Sequence, residues 1–175
     1  FPDLFSGFLT EYKQSVILLF RITMTQAQTY ITMGFIAYSL LCFVKGFLEC
    51  RKKNYRGQRG ALIFYPLGAY VFADAVVLGP FWAVSAAILL YFNNWWLFWT
   101  YYFVFLSIRN LGETIYWFNQ QFSTIERNPG KERPLWRYFQ DEHTVHFIYQ
   151  LLWQCASVFP MVLAIYSSYR WISSL

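Results

Sequence analysis

Charge is scarce in this chain. Asp, Glu, Lys and Arg make up 13% of its 175 residues, against about 25% in a soluble globular protein. With 57% hydrophobic residues, that shortage excludes a disordered chain, a coiled coil, a collagen-like chain and an ordinary soluble enzyme. Cysteine is scarce too. Cys42, Cys50 and Cys155 are odd in number and irregularly spaced, which excludes a disulfide framework and a Cys-x-x-Cys centre. There are 2 histidines, both in one predicted helix, too few for a multi-histidine di-iron site. The chain has no Gly-rich phosphate loop and no nucleophile elbow. No lysine sits in the middle of a predicted span, which excludes a retinal Schiff base. Internal repeats, low-complexity tracts and linkers are missing as well, so residues 1–175 read as a single domain.

What is abundant is apolar and aromatic. The 19 Phe, 14 Tyr and 8 Trp belong with long apolar runs, and a spanning helix needs about 20 such residues. The runs predict four transmembrane helices, near residues 26–44, 67–92, 95–118 and 144–166. The fold class expected is an all-α, polytopic membrane helical bundle. Phe5, Phe8, Leu9, Tyr12, Val16, Leu19 and Phe20 recur at helical spacing. They predict an N-terminal amphipathic helix on the membrane surface. A rival reading makes residues 15–44 one long tilted helix. Phe1 rather than Met opens the numbering, so a processed or otherwise missing upstream segment is expected.

Local signals refine these spans. Ser39, Cys42, Gly46 and Cys50 lie three or four apart, a small-residue stripe that lets another helix approach closely. The apolar run 61–92 is too long for one perpendicular helix, so the second helix is expected to start near Pro66, with residues 61–65 interfacial. Gly79-Pro80 and Pro160 predict kinks. Asn93-Asn94 predict a turn and a cap for the third helix. Trp95, Trp96, Trp99, Tyr101 and Tyr102 mark its start as an interfacial belt.

Net charge is +5, and its placement points to a membrane rather than to nucleic acid. Lys45, Arg51, Lys52, Lys53, Arg56 and Arg59 share one stretch, and Arg127, Lys131, Arg133 and Arg137 another. Both are flanked by apolar runs, so loops 45–60 and 119–143 are expected to be cytoplasmic and both termini on the opposite side. Arg51, Lys52, Lys53, Arg56 and Arg59 are candidates to hold anionic lipid headgroups, at about 1 kcal/mol per charge. Cys50 beside them is a candidate for palmitoylation, and Cys42 and Cys155 read as small packing residues.

Ionisable groups at membrane depth are costly and each asks for a reason. Asp74, Arg109 and Glu113 are the clear cases. From the predicted boundaries Asp74 lies about 12 Å inside, Arg109 about 13 Å and Glu113 about 7 Å, with Gln150 about 9 Å and Gln154 about 15 Å. All fall in the cytoplasmic half. Arg109 and Glu113 share a helix face, as do Asn110 and Glu113. His143, His146, Gln150 and Gln154 form one polar stripe on the last helix.

The plain expectation is helix-pairing contacts among Asp74, Arg109, Asn110, Glu113, Gln150 and Gln154, the same residues being candidates for a ligand or proton pathway. A sharper one is a metal held by Glu113, His143 and His146, or a proton relay through them. The function expected is a small non-enzymatic subunit, or an oligomeric transport or channel component, working as a homo-oligomer or with a membrane protein partner. The alternative is a membrane-embedded enzyme, or a protein binding a metal, quinone or lipid, through Glu113, His143 and His146.

Overall fold

The computed structural model describes residues 24–52, 62–123 and 129–174. Every regular element among them is helical. In chain order these are α1 (Gln26–Cys50), a 3₁₀ segment (Leu62–Leu67), α2 (Phe72–Tyr91), α3 (Trp95–Phe122), a 3₁₀ turn (Gly130–Glu132), the single-turn α4 (Trp136–Phe139) and α5 (Glu142–Ile172). The predicted amphipathic helix falls on residues outside those described, as do Lys53, Arg56 and Arg59.

The sequence writes the helix starts. Thr25 and Gln28 form a reciprocal capping box at α1. Asn94 Oδ1 accepts the Leu97 N–H at 3.0 Å and caps α3, as the Asn93-Asn94 pair predicts. Asp141 caps α5 by accepting the Thr144 N–H at 2.8 Å. Asn93 adopts φ +51°, a left-handed conformation that asparagine tolerates, and this makes the α2–α3 turn tight.

Helices α1, α2 and α5 are long and apolar enough to cross a membrane. Helix α3 is equally long but less apolar, because Arg109, Asn110, Glu113, Asn119, Gln120 and Gln121 all fall within it. The predicted bounds move. α1 continues through Lys45 to Cys50, α3 runs on to Phe122, and α5 extends from Glu142 to Ile172. Residues placed in loops by hydropathy therefore belong to helix ends. Helices α2 and α5 continue through Pro80 and Pro160 without a break.

The long helices pair as two antiparallel hairpins, α1 with α2 and α3 with α5, while α2 and α3 approach one another at few points. In the first hairpin three of the four residues of the small-residue stripe pack as predicted, and Cys50 at the helix end is only half-buried. Ser39, Cys42 and Gly46 are buried against Ala75 and Gly79. A Cβ on Gly46 would lie 2.9 Å from the Phe72 carbonyl oxygen, and one on Gly79 would lie 2.7 Å from Phe43 Cβ. Only glycine allows the two backbones so close. Cys155, by contrast, is exposed and is not the packing residue expected.

In the second hairpin Trp117 stacks on Tyr149 at 4.7 Å. Gln121 donates to Gln150 at 2.6 Å. The seam between hairpins is aromatic. Phe35 and Trp82 of the first pack edge-on against Phe98, Tyr102 and Phe105 of the second. Large apolar side chains cover the outside, with Leu41, Val77 and Phe159 each about 70% exposed. A soluble monomer rarely shows so much apolar surface.

The 3₁₀ segment corrects the predicted start of α2. That helix begins at Phe72, and residues 62–67 form a separate 3₁₀ segment. Gly46 is level with Phe72. Cys42, one turn before it, meets the Ile63 carbonyl at 3.9 Å, so Ile63 lies about 6 Å further into the bundle than Phe72. Leu67 is deeper, its carbonyl taking the Trp82 indole N–H at 3.0 Å. Phe64, Leu67 and Ala69 are fully buried. The chain dips back between the hairpins before α2 starts.

Such a dip exposes carbonyl groups that a longer helix would satisfy internally. Pro66 has no N–H, so Ile63, its natural 3₁₀ partner, is left open, and the Tyr38 hydroxyl donates to it. Tyr102 donates to the Pro66 carbonyl at 2.7 Å. Arg109 Nε donates to that of Gly68 at 3.0 Å. With Trp82, these donors come from three different helices, which is how non-helical backbone survives at depth.

Candidate functional site

Arg109 stands at the middle of α3 and reaches across the seam. Its Nη2 lies 2.9 Å from Asp74 of α2 and its Nη1 2.7 Å from Glu113 one turn along α3. Its Nε holds the Gly68 carbonyl. The guanidinium also sits over the Tyr70 ring, 4.6 Å from the centroid, a favourable cation–π placement. The three ionisable residues of the predicted cluster are thus brought together, with side chains 24%, 27% and 18% exposed for Arg109, Asp74 and Glu113.

Asp74 lies in the first turn of α2, about 3 Å along the axis from Phe72. Its carboxylate accepts the Tyr70 and Val71 N–H groups at 3.0 and 3.4 Å, which also caps α2. The site thus sits at the mouth of the dip formed by residues 62–70.

Asn110 extends it to α5. The Tyr70 hydroxyl donates to Asn110 Oδ1, and Asn110 Nδ2 donates to the Ala156 carbonyl at 2.9 Å. Ala156 is four residues before Pro160, so its carbonyl has no helical N–H to accept. The asparagine fills that gap. A continuous hydrogen-bonded path therefore runs from the 62–70 segment through α3 to α5.

The predicted stripe on α5 divides. His146 is buried and Gln150 faces α3, whereas His143 and Gln154 are exposed. His146 lies 5.7 Å from the Trp117 ring, and its Nε2 is 4.0 Å from Glu142. Glu142 in turn accepts the Gly130 N–H at 2.7 Å, and Arg133 lies over Trp117 at 5.3 Å. These contacts fold residues 130–133 against the end of the second hairpin. Asp141 beside them is held below the usual carboxylate range by the side chain and N–H of Thr144, with His143 adding to the effect.

The metal expectation is not met. Among the described residues no three His, Cys, Asp or Glu side chains could hold a metal ion. Glu113 is instead paired with Arg109. Lys52 pairs with Glu49 at 2.6 Å and Arg51 lies over Phe47.

Tyr70, Gly68, Trp82 and Tyr102 were not singled out as site residues by the sequence. The available signal was Gly68, two residues after Pro66, in the pattern of a turn. Its φ is +69°, and a Cβ there would meet Phe105 and Arg109 side chains at 3.1 and 3.2 Å. The chain matches no protein-family description, no curated protein and no solved structure.

Proposed function

We propose that this chain is a four-span membrane protein that serves as a small non-catalytic component of a membrane assembly. The observation that carries this is Arg109. Its three donor nitrogens are directed at Gly68, Asp74 and Glu113, so two of them tie α3 to the first hairpin and the third holds a carboxylate of its own helix. A group so bound acts as a structural tie rather than as a grip for an anionic ligand. The fourth span is α3, whose charges face this cluster, while Ile108, Leu111 and Ile115 stay exposed to meet lipid. The basic residues after α1 and α3 put that end of the bundle on the cytoplasmic side, with Arg51 to Arg59 against anionic headgroups.

A second reading is transport of a small cation or proton. It is favoured by the charge balance of the site, two carboxylates to one guanidinium, at partial exposure. One experiment separates the two. The purified chain in proteoliposomes is expected to pass no protons or alkali cations beyond empty vesicles, and Arg109→Gln is expected to lower its thermal stability and its yield of native-gel assemblies. Flux that Glu113→Gln abolishes, with stability unchanged, would overturn the component reading in favour of transport.

A further inference from the structure

We infer that the two hairpins are rigid bodies that part at the end where α2 begins, hinged at the 92–94 turn and latched by Arg109 and Asn110. This goes beyond the component reading and needs only the fold.

Each hairpin is tightly built within itself. Gly46 and Gly79 bring α1 and α2 to backbone contact, and α3 and α5 are joined by Asn110–Ala156, Gln121–Gln150 and the Trp117–Tyr149 stack. Between hairpins the backbones stand apart and rings fill the space. Ring contacts are non-directional, so they tolerate rotation better than hydrogen bonds do.

The directional bonds across the seam are unevenly placed. Arg109 to Gly68 and Asp74, Tyr70 to Asn110, and Tyr102 to Pro66 gather around the 62–70 segment, and one more, between the Ser85 and Tyr101 hydroxyls at 3.3 Å, lies toward the 92–94 turn. At the opposite end, the Met24 N–H donates to the side chain and carbonyl of Asn93 at 3.1 and 3.3 Å. Asn93 lies in the turn that covalently joins the hairpins, so that end is pinned.

The latch can release at low cost in charge. Glu113 is on the same helix as Arg109 and stays with it as an i,i+4 pair. Asp74 keeps the Tyr70 and Val71 N–H groups. The 62–70 segment stays with the first hairpin through Tyr38 and Trp82. When the bodies separate, Arg109 and Asp74 each keep a partner, while the Pro66 and Gly68 carbonyls lose theirs, so the open arrangement is the higher in energy and the latch holds the seam closed.

The test uses the full chain in lipid nanodiscs with its native cysteines replaced by serine. Pairs of spin labels are placed at Leu48 and Leu152, near the latch, and at Ile88 and Ile172, near the turn. In Arg109→Gln and in Asp74→Asn the first distance is expected to gain a longer component, by about 5 Å or half a helix–helix spacing. The second distance is expected to stay unchanged, which also shows that the variants are folded. An unchanged first distance in both variants overturns the latch. Equal broadening of both distances overturns the hinge.

Discussion

Asn110 of α3 donates its side-chain amide to the carbonyl of Ala156 at 2.9 Å, the carbonyl that Pro160 cannot serve. A proline inside a membrane helix leaves one acceptor open, and an open acceptor away from water costs free energy. The chain has placed a donor on the neighbouring helix at that height. Pro66 repeats the arrangement, with Tyr38 donating to Ile63.

This makes Asn110 and Pro160 energetically coupled. Asn110→Ala should destabilise the bundle by about 1–3 kcal/mol, since it strands a buried acceptor. In a Pro160→Ala background Ala156 regains a helical N–H, and the cost of Asn110→Ala should fall by about 1 kcal/mol or more. The remainder belongs to the Tyr70 hydroxyl. Unfolding in bicelles of the four members of the cycle measures this. Equal costs in both backgrounds would show that the proline gap is filled by something else.

The glycines divide into two kinds. Gly46→Ala and Gly79→Ala force a methyl to within 3 Å of the facing helix and should each cost about 1–3 kcal/mol as overpacking. Gly34→Ala and Gly112→Ala meet nothing within 4 Å and should be neutral, or stabilising by up to about 1 kcal/mol through helix propensity. Thermal unfolding of the four variants sorts them. If all four behave alike, close approach of α1 and α2 is not what Gly46 and Gly79 provide.

Leu62 is 78% exposed on the protein surface, yet the dip places its neighbour Ile63 inside the level of Phe72. Lipid should cover it. In a chain whose native cysteines are replaced, Leu62→Cys is expected to resist a membrane-impermeant thiol reagent from both sides of sealed vesicles. Lys52→Cys, at 64% side-chain exposure, should react from one side. Labelling of the two positions at similar rates would put the 3₁₀ segment in water.

Part of this was legible beforehand because it is local. Ser39, Cys42 and Gly46 recur at helical spacing, Asn94 precedes a helix, and Arg109 and Glu113 are four apart. Each rule needs only a few neighbouring residues. The dip at 62–70 was not legible, because residues 61–92 are almost uniformly apolar and hydropathy cannot divide such a run. The groups that hold the dip, Tyr38, Trp82, Tyr102 and Arg109, are distant in sequence, and only the pairing of hairpins brings them together. The stripe on α5 misled for a geometric reason. Val145, Ala164 and Ser167 take the buried face, and the polar line lies about a quarter turn aside. Only its near members, His146 and Gln150, reach the neighbouring helix.

The cluster itself predicts a non-additive response. In Asp74→Asn the guanidinium of Arg109 keeps Glu113, and in Glu113→Gln it keeps Asp74. Each single change should cost about 1–2 kcal/mol, the worth of one charge-assisted hydrogen bond at partial exposure. Removing both leaves a cation in the seam with no counter-charge, the situation that makes broken buried pairs costly. The double variant should therefore lose about 1–3 kcal/mol more than the sum of the singles. Adding Arg109→Leu to the double should restore part of the loss, since an apolar side chain suits the site better than an unpaired charge. Unfolding measurements on the four variants decide it. Additive losses without rescue would mean that Arg109 is solvated and that the cluster does not tie the hairpins together.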